Sequence, residues 1–369
     1  MNRCPLELWT KIATFACTNG GYTGYSLSLV SHTMYSIAEY ARYYTVSLSS
    51  TQRLFAFAAQ IVALNKPPVI YHLLVTGARA DHKPRMFKMA REERAKIREA
   101  MHTILSSAAS HLRTLVIHNW SSHDPVPGDV CFPFFEDATL TDTLWGELAA
   151  GMHSRFPMLR RLHISSTGRV YLHGLWDILA ESTPLLTHLR LTNVASETEL
   201  PCFLRILLDI VPQHQVDPTT GIITDNALSF NLDPEEVQEA LATASRLSAL
   251  GYICVQPATA GCIGYSCRNA FMTKTHVHQE MMLNLEDIAR AAGGGKSVGK
   301  FILLPKHKQY SAEEARRDWL ETIEGRDGAW PGSSGGLVGC VPSSMRAKWP
   351  EKGNTFASQS VHESVTLPA

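Results

Sequence analysis

Eight short apolar, β-prone runs recur along the chain, at Tyr44–Leu48, Val69–Val75, Leu112–Ile117, Leu159–Ile164, Leu186–Leu191, Ala227–Leu232, Tyr252–Val255 and Phe301–Leu304. Between most of them lies a stretch whose apolar residues repeat with helical spacing: 52–64, 91–105, 143–153, 174–181, 199–211 and 234–250. Strand and helix in strict alternation leave few options. Successive strands must lie parallel, with the helices carrying the chain back between them, so an α/β fold with a parallel sheet is expected.

Three of the runs share one pattern. Leu112-Arg-Thr-Leu115-Val-Ile117, Leu159-Arg-Arg-Leu162-His-Ile164 and Leu186-Thr-His-Leu189-Arg-Leu191 all read L-x-x-L-x-[LI], and the third continues to Asn193. Alternate leucines along a strand face inward, and an asparagine in the following turn can bond exposed backbone groups. This is the strand part of a leucine-rich repeat, whose units stack into one continuous core. The first two lie 47 residues apart and the last two 27, so an irregular leucine-rich-repeat-like α/β solenoid is expected over residues 49–325. An ordinary α/β sheet with leucine-rich strands is the alternative.

The segment before the first strand differs. Pro5 suits the first turn of a helix, where its missing N–H is not needed. Leu8, Trp9, Ile12, Phe15 and Ala16 follow with helical spacing, and Asn19-Gly20-Gly21-Tyr22-Thr23-Gly24 should stop that helix. Ser26 can cap a second helix with Leu27, Val30, Met34 and Ile37 on one face. A helical module over 1–48 has too small an interior to hide Pro5, Leu6, Leu8, Trp9, Ile12, Leu29, Val30, Met34 and Tyr35 together. Some of them should form an exposed apolar face, which usually marks a partner site.

Cys4-Pro5-Leu6-Glu7-Leu8-Trp9-x-x-Ile12, followed by Leu27-Ser-Leu29-Val30-Ser31-His32 and the apolar and aromatic residues up to Tyr40, resembles an F-box. It is similar to the fungal version, in which a GGYTG loop separates the halves ahead of a leucine-rich-repeat region. Cys4 stands where that family usually has leucine, and His32 where a basic residue often follows. The resemblance implies that Pro5, Leu6, Leu8, Trp9, Ile12, Leu29, Val30, Met34 and Tyr35 bind the Skp-type adaptor of a cullin–RING ubiquitin ligase. The remainder of the chain would then hold a substrate protein, without catalytic residue, cofactor or metal. A ligase-independent interaction scaffold is the first alternative.

Composition narrows the field. Thirty-four Lys and Arg balance thirty-four Asp and Glu, so the basic footprint of a nucleic-acid binder is missing. No window of 18 apolar residues suggests a membrane span, and the N-terminus lacks a signal-peptide pattern, so a cytoplasmic or nuclear location is expected. Eight scattered cysteines without a C-x-x-C pair read as reduced thiols.

Other constellations are weaker. Gly293-Gly-Gly295-Lys296-Ser297 resembles the end of a phosphate-binding loop, but Arg290 occupies the position where that loop needs glycine. Gly332-Ser333-Ser334-Gly335-Gly336 has linker composition. His276, His278 and Glu280 would share one side only if extended. His118, His123 and Asp124 form a polar loop after a strand, and a small-molecule enzyme would need such residues, or Asn193, to line a pocket at the strand ends. A helix is expected at 284–292 and an amphipathic one at 311–324, where Ala315, Trp319 and Ile323 are spaced four apart. Residues 256–267 read as a loop and 326–369 as a disordered tail.

Overall fold

Eight strands follow one another across one sheet in chain order, each parallel to the next. A computed structural model describes residues 5–18, 21–64, 66–77, 91–118, 130–141, 156–165, 175–195, 199–210, 234–259, 268–293, 300–307 and 310–330. The strands are β1 (Thr45–Leu48), β2 (His72–Thr76), β3 (Thr114–His118), β4 (Asp137–Thr141), β5 (Arg161–Ser165), β6 (His188–Val194), β7 (Tyr252–Pro257) and β8 (Lys300–Leu303). The α/β class with a parallel sheet is therefore observed. No strand is skipped or inserted between earlier ones, which distinguishes the sheet from a doubly wound one, where the order reverses.

The regularity extends beyond the three units visible in the sequence. Cα partners run Thr45–His72–Thr114–Asp137–Arg161–His188–Tyr252–Lys300 straight across the sheet. From β1 to β7, a buried apolar residue lies two residues before this row, and two more lie one and three residues after it. Examples are Ile70/Leu73/Val75, Leu112/Leu115/Ile117, Phe135/Ala138/Leu140 and Leu250/Ile253/Val255, all buried. The same tight turn precedes β4, β5 and β6, with the amides of Phe135, Leu159 and Leu186 donating to the carbonyls of Phe132, Phe156 and Thr183.

β4 was not among the expected strands. Its sequence, Asp137-Ala-Thr-Leu-Thr141, has Leu140 as its one large apolar residue, yet every position is buried. It fills the 47-residue interval, so that strand starts at Thr114, Asp137, Arg161 and His188 recur every 23, 24 and 27 residues. The expected strand at Ala227–Leu232 and helix at 143–153 lie outside the described residues.

One face of the sheet is apolar and carries the core. Leu73, Leu115, Leu162, Leu189 and Ile253 meet helices α4 (Thr51–Ala63), α5 (Arg91–Ala108), α6 (Leu175–Ser182), α7 (Glu199–Leu207) and α9 (Arg268–Ala291) in a single cluster. α8 (Pro234–Arg246) packs outside them on α6 and α7. Trp176 and Phe203 stack with ring centroids 4.1 Å apart. α9 begins well before the expected 284, so His276 and His278 lie on a helix: His276 is exposed and His278 buried. Two residues apart on a helix they point in different directions, which removes the shared side that an extended strand would give them.

Before the sheet, α1 (Leu6–Ala16), α2 (Tyr22–Ser28) and α3 (His32–Ala41) form a small bundle around Ala13, Cys17, Met34, Ile37 and Ala41. Tyr22-Thr23-Gly24 is helical, not part of the expected loop, and the cap of the last helix is Ser31, whose side chain accepts from the Met34 amide at 3.1 Å. Gly24 belongs to a close crossing: a Cβ there would lie 2.7 Å from the Arg42 Cα. The module ends earlier than residue 48, since the chain enters the sheet at Thr45.

After β8 the chain crosses to the other face of the sheet as α10 (Ala312–Ile323). Ser311 and Glu314 form a reciprocal capping box, and Gly325, at φ +74°, ends the helix. Residues 326–330, expected to belong to a disordered tail, are placed in the fold, with Ala329 and Trp330 buried against the sheet. The remainder, from 331, lies outside the described residues.

Asn193 takes φ 60° where β6 shifts register against β7. That left-handed conformation suits asparagine and glycine and penalises a Cβ without a local hydrogen-bonding group. Asn193→Ala should lower stability by about 1–2 kcal/mol and Asn193→Gly by clearly less. Urea unfolding of the two variants checks the order.

Candidate functional site

Two surfaces carry the chemistry. On α1 the buried side is formed by Ala13, with Trp9 partly buried against the bundle core. Leu8, Ile12 and Phe15, at i, i+4 and i+7, make an exposed apolar stripe, and Phe15 is 81% exposed. Tyr22, Tyr25 and Leu29 repeat this at i, i+3 and i+7 along α2, with Val30 and Tyr35 also exposed. A water-soluble helix normally turns its polar side outward, whereas these helices carry apolar residues both towards the bundle core and towards solvent.

The structure thus divides the nine expected contact residues. Leu8, Ile12, Leu29, Val30 and Tyr35 are exposed, as is Pro5 at the start of α1. Trp9 is half-buried. Met34 is a correction: at 4% exposure it belongs to the bundle core and cannot be a contact. The side chain of Leu6 lies outside what is described. Phe15, Tyr22 and Tyr25 were not singled out, although the spacing of Phe15 behind Leu8 and Ile12 was visible.

The second surface is the polar face of the sheet. Rows of His72, Thr114 and Asp137, then Thr139, His163 and Arg190, then His118, Thr141, Ser165 and Thr192 cross it, and all are buried. The segment Tyr310–Trp330 lies over them. The Tyr310 ring meets His118 edge-on at 5.6 Å and His163 at 4.5 Å, while the Arg190 guanidinium sits 5.4 Å from the same ring. Tyr310 donates to Asp318 at 3.0 Å, Asp318 lies 3.5 Å from Arg190, and Arg190 donates to the Ala329 carbonyl at 2.6 Å. Trp319 donates its indole N–H to the Thr114 hydroxyl at 3.2 Å. The same hydroxyl is hydrogen-bonded to His72 Nδ1, 2.9 Å away.

Burial sets the protonation states. Desolvation lowers His72 and His118 to about 4, with the Arg113 charge adding to the effect at His72 and Glu314 opposing it at His118. His163, fully buried, is held well below the usual imidazole range by desolvation, by Arg190 and by His118. Asp137 is pushed up to about 6 by burial, against the opposing charge of Arg161 at 2.8 Å. Neutral imidazoles are good metal ligands, but no group of three or more potential metal ligands occurs among the described residues. His123 and Asp124 lie outside those residues, so the polar loop cannot be placed as a unit. His118 is at a strand end as expected, but Tyr310 covers it, and Asn193 is occupied in its bulge. The glycine-rich stretch from Gly294 and residues 332–336 also lie outside the described residues.

Among the described cysteines, Cys17, Cys202 and Cys254 are buried and Cys131 is exposed. No described helix is long and apolar enough to cross a membrane. No protein-family model matches the chain, and no curated protein matches it significantly.

Proposed function

We propose that the chain is a substrate-recognition adaptor of a cullin–RING ubiquitin ligase, docking a Skp-type protein through its N-terminal helices and a substrate through the sheet domain, which we read as an irregular leucine-rich-repeat solenoid. The observation that carries the reading is the outward apolar stripe Leu8–Ile12–Phe15 on a bundle whose own core is already filled by Ala13, Cys17, Met34 and Ile37. The F-box resemblance of the same residues supports the partner class, and the stacked, registered units of the sheet support the solenoid. The mechanism is proximity: the chain positions a substrate near a ubiquitin-charged enzyme and contributes no reacting group.

The exposure pattern sharpens the test. Leu8→Asp combined with Ile12→Asp should reduce co-purification with a Skp-type adaptor at least 100-fold, because charges in a desolvated apolar contact are strongly unfavourable. Both positions face solvent in the free chain, so the circular dichroism spectrum and melting temperature should stay as in the parent. Undiminished adaptor recovery from the doubly charged variant rules the docking out and leaves a ligase-independent interaction scaffold as the reading.

A further inference from the structure

The face of the sheet that a stacked-repeat domain would offer to a partner is already filled, and the filling is the chain's own. β8 is the edge strand, yet α10 packs on β2 and β3 near the opposite edge. To get there the chain passes Tyr310 between His118 and His163, and it then returns so that Trp330 packs against His188 and Tyr252. The segment adds no strand to the sheet and does not join the large core on the other face. Its own clusters are small and separate, one with Leu74 and Val116 and one with Tyr252 and Cys254. The capping box and the Gly325 stop give α10 ends of its own, and Gly328 allows the return, since a Cβ there would lie 2.6 Å from the Asp318 carbonyl. Such a segment is built as a ligand is built: a self-capped helix lying on a preformed surface.

Its fit is incomplete on both sides, since the indole N–H of Trp330 on the segment is buried without a partner among the described residues, and most of the mismatches belong to the sheet. Among the described residues, both ring nitrogens of His118, Nδ1 of His163, Nε of Arg190 and the hydroxyl of Thr141 are buried without a hydrogen-bond partner. Buried polar groups in native proteins are nearly always paired, so each of these destabilises the closed arrangement. The bonds that are made define what the surface recognises. Arg190 takes a carboxylate, Asp318; Thr114 takes an indole N–H, Trp319; the imidazoles and the guanidinium surround one phenol ring, Tyr310.

We infer that the polar face of the sheet is a peptide-receiving surface held closed in cis by Tyr310–Trp330, and that its external ligand is an acidic, aromatic helical segment of another protein that displaces this clasp. Such a partner repeats the carboxylate–Arg190 pair and the aromatic contacts, and in addition offers acceptors to His118 and His163, which the clasp leaves unmatched. The inference rests on reading the sheet domain as a protein-binding domain and does not involve the N-terminal helices.

The probe is a fluorescein-labelled peptide with the sequence of residues 310–330, titrated by fluorescence anisotropy into the full-length chain and into full-length Asp318→Arg. The substitution sets a cation against Arg190 and should free the clasp, so the variant is expected to bind the peptide at least tenfold more tightly than the parent. Hydrogen exchange reads the state of each part: amides of α10 should lose protection in the variant while those of β5 and β6 keep it. Trp319→Ala, which removes the bond to Thr114, serves as a second clasp variant if Asp318→Arg does not fold. Loss of β5 and β6 protection together with α10 in both variants overturns the inference, because the segment is then part of the sheet's own stability. A released α10 with no gain in peptide binding overturns it too, as does an α10 that stays protected in both variants. Adaptor co-purification tests the N-terminal docking separately and is unaffected by either substitution.

Discussion

Replacing Leu162 by alanine should cost about 4–5 kcal/mol, the upper end of the range for leucine-to-alanine changes in cores. Leu162 is fully buried in the middle of β5, with Ala138 of β4 as its lateral partner on one side and Leu189 of β6 on the other. The cost of such a change depends on how far neighbours can collapse into the space. Ala138 has no side chain to lend, so Leu162→Ala leaves two adjacent alanines under the helical layer and a cavity open across two strands. Leu189→Ala removes the same atoms, but Leu162 and Ile253 flank it on the neighbouring strands and can close part of the gap. Its cost should be lower by about 1 kcal/mol on the same reasoning. Urea unfolding of both variants gives the comparison. A loss below about 2 kcal/mol at Leu162 would show that the β4–β5 contact is not packed as described.

That contact also shows what the sequence could and could not reveal. Seven of the eight strands follow patterns in which a leucine, isoleucine or valine marks each inward position, and these are legible because the hydrophobic effect acts on large side chains. β4 obeys the same pattern with Phe135, Ala138 and Leu140. Alanine and threonine carry no strand signature of their own, and Asp137, with a buried carboxyl against Arg161, reads as a turn residue. Only stacking between β3 and β5 makes this stretch a strand. Without it the interval from β3 to β5 is twice a repeat; with it the spacing from β3 to β6 is nearly even. The long helix α9 was hidden for a related reason, as its first half carries Thr, Lys, His and Gln among few apolar residues and depends on its neighbours for helicity.

The docking face was half legible. Leu8 and Ile12 are found where the apolar spacing puts them, but periodicity alone says that a helix has an apolar side, not which side faces the bundle. α1 has two: Ala13 and Trp9 face inward, and Leu8, Ile12 and Phe15 face out. Periodicity places Met34 on one apolar face with Leu27, Val30 and Ile37 and does not say which part of that face turns inward. The third helix, capped by Ser31, turns Met34 into the core. The covered polar face was not legible at all. Its histidines, threonines and arginine are scattered over five strands, and the segment that meets them, Tyr310 to Trp330, comes from the far end of the chain. Long-range juxtaposition of this kind leaves no local trace.

Acidification should weaken this fold from its polar face. His72 and His118 are neutral in the folded chain and titrate near 4 there, against 6.5 when free in water. A group whose folded value is depressed in this way binds its proton more readily in the unfolded chain, so its contribution is complete above about 6.5 and is lost as the pH falls towards 4. Each histidine accounts for about 3 kcal/mol at the acid end, and His163, lowered further, has the same sign. Asp137 works in the opposite direction. Its folded value is raised to about 6, so between 6 and 3.8 the folded chain holds the extra proton, and acid recovers about 3 kcal/mol that its buried charge costs at neutral pH. The imidazoles outnumber the carboxyl, and the net expectation is a loss of about 3 kcal/mol or more between pH 7 and 4.5. Urea midpoints at four pH values across that interval would show a steady fall, with the slope reduced in His118→Gln. A midpoint that is flat, or that rises on acidification, would mean that the histidines under Tyr310 and Trp319 are not held neutral, and hence that the polar face is open to water in solution.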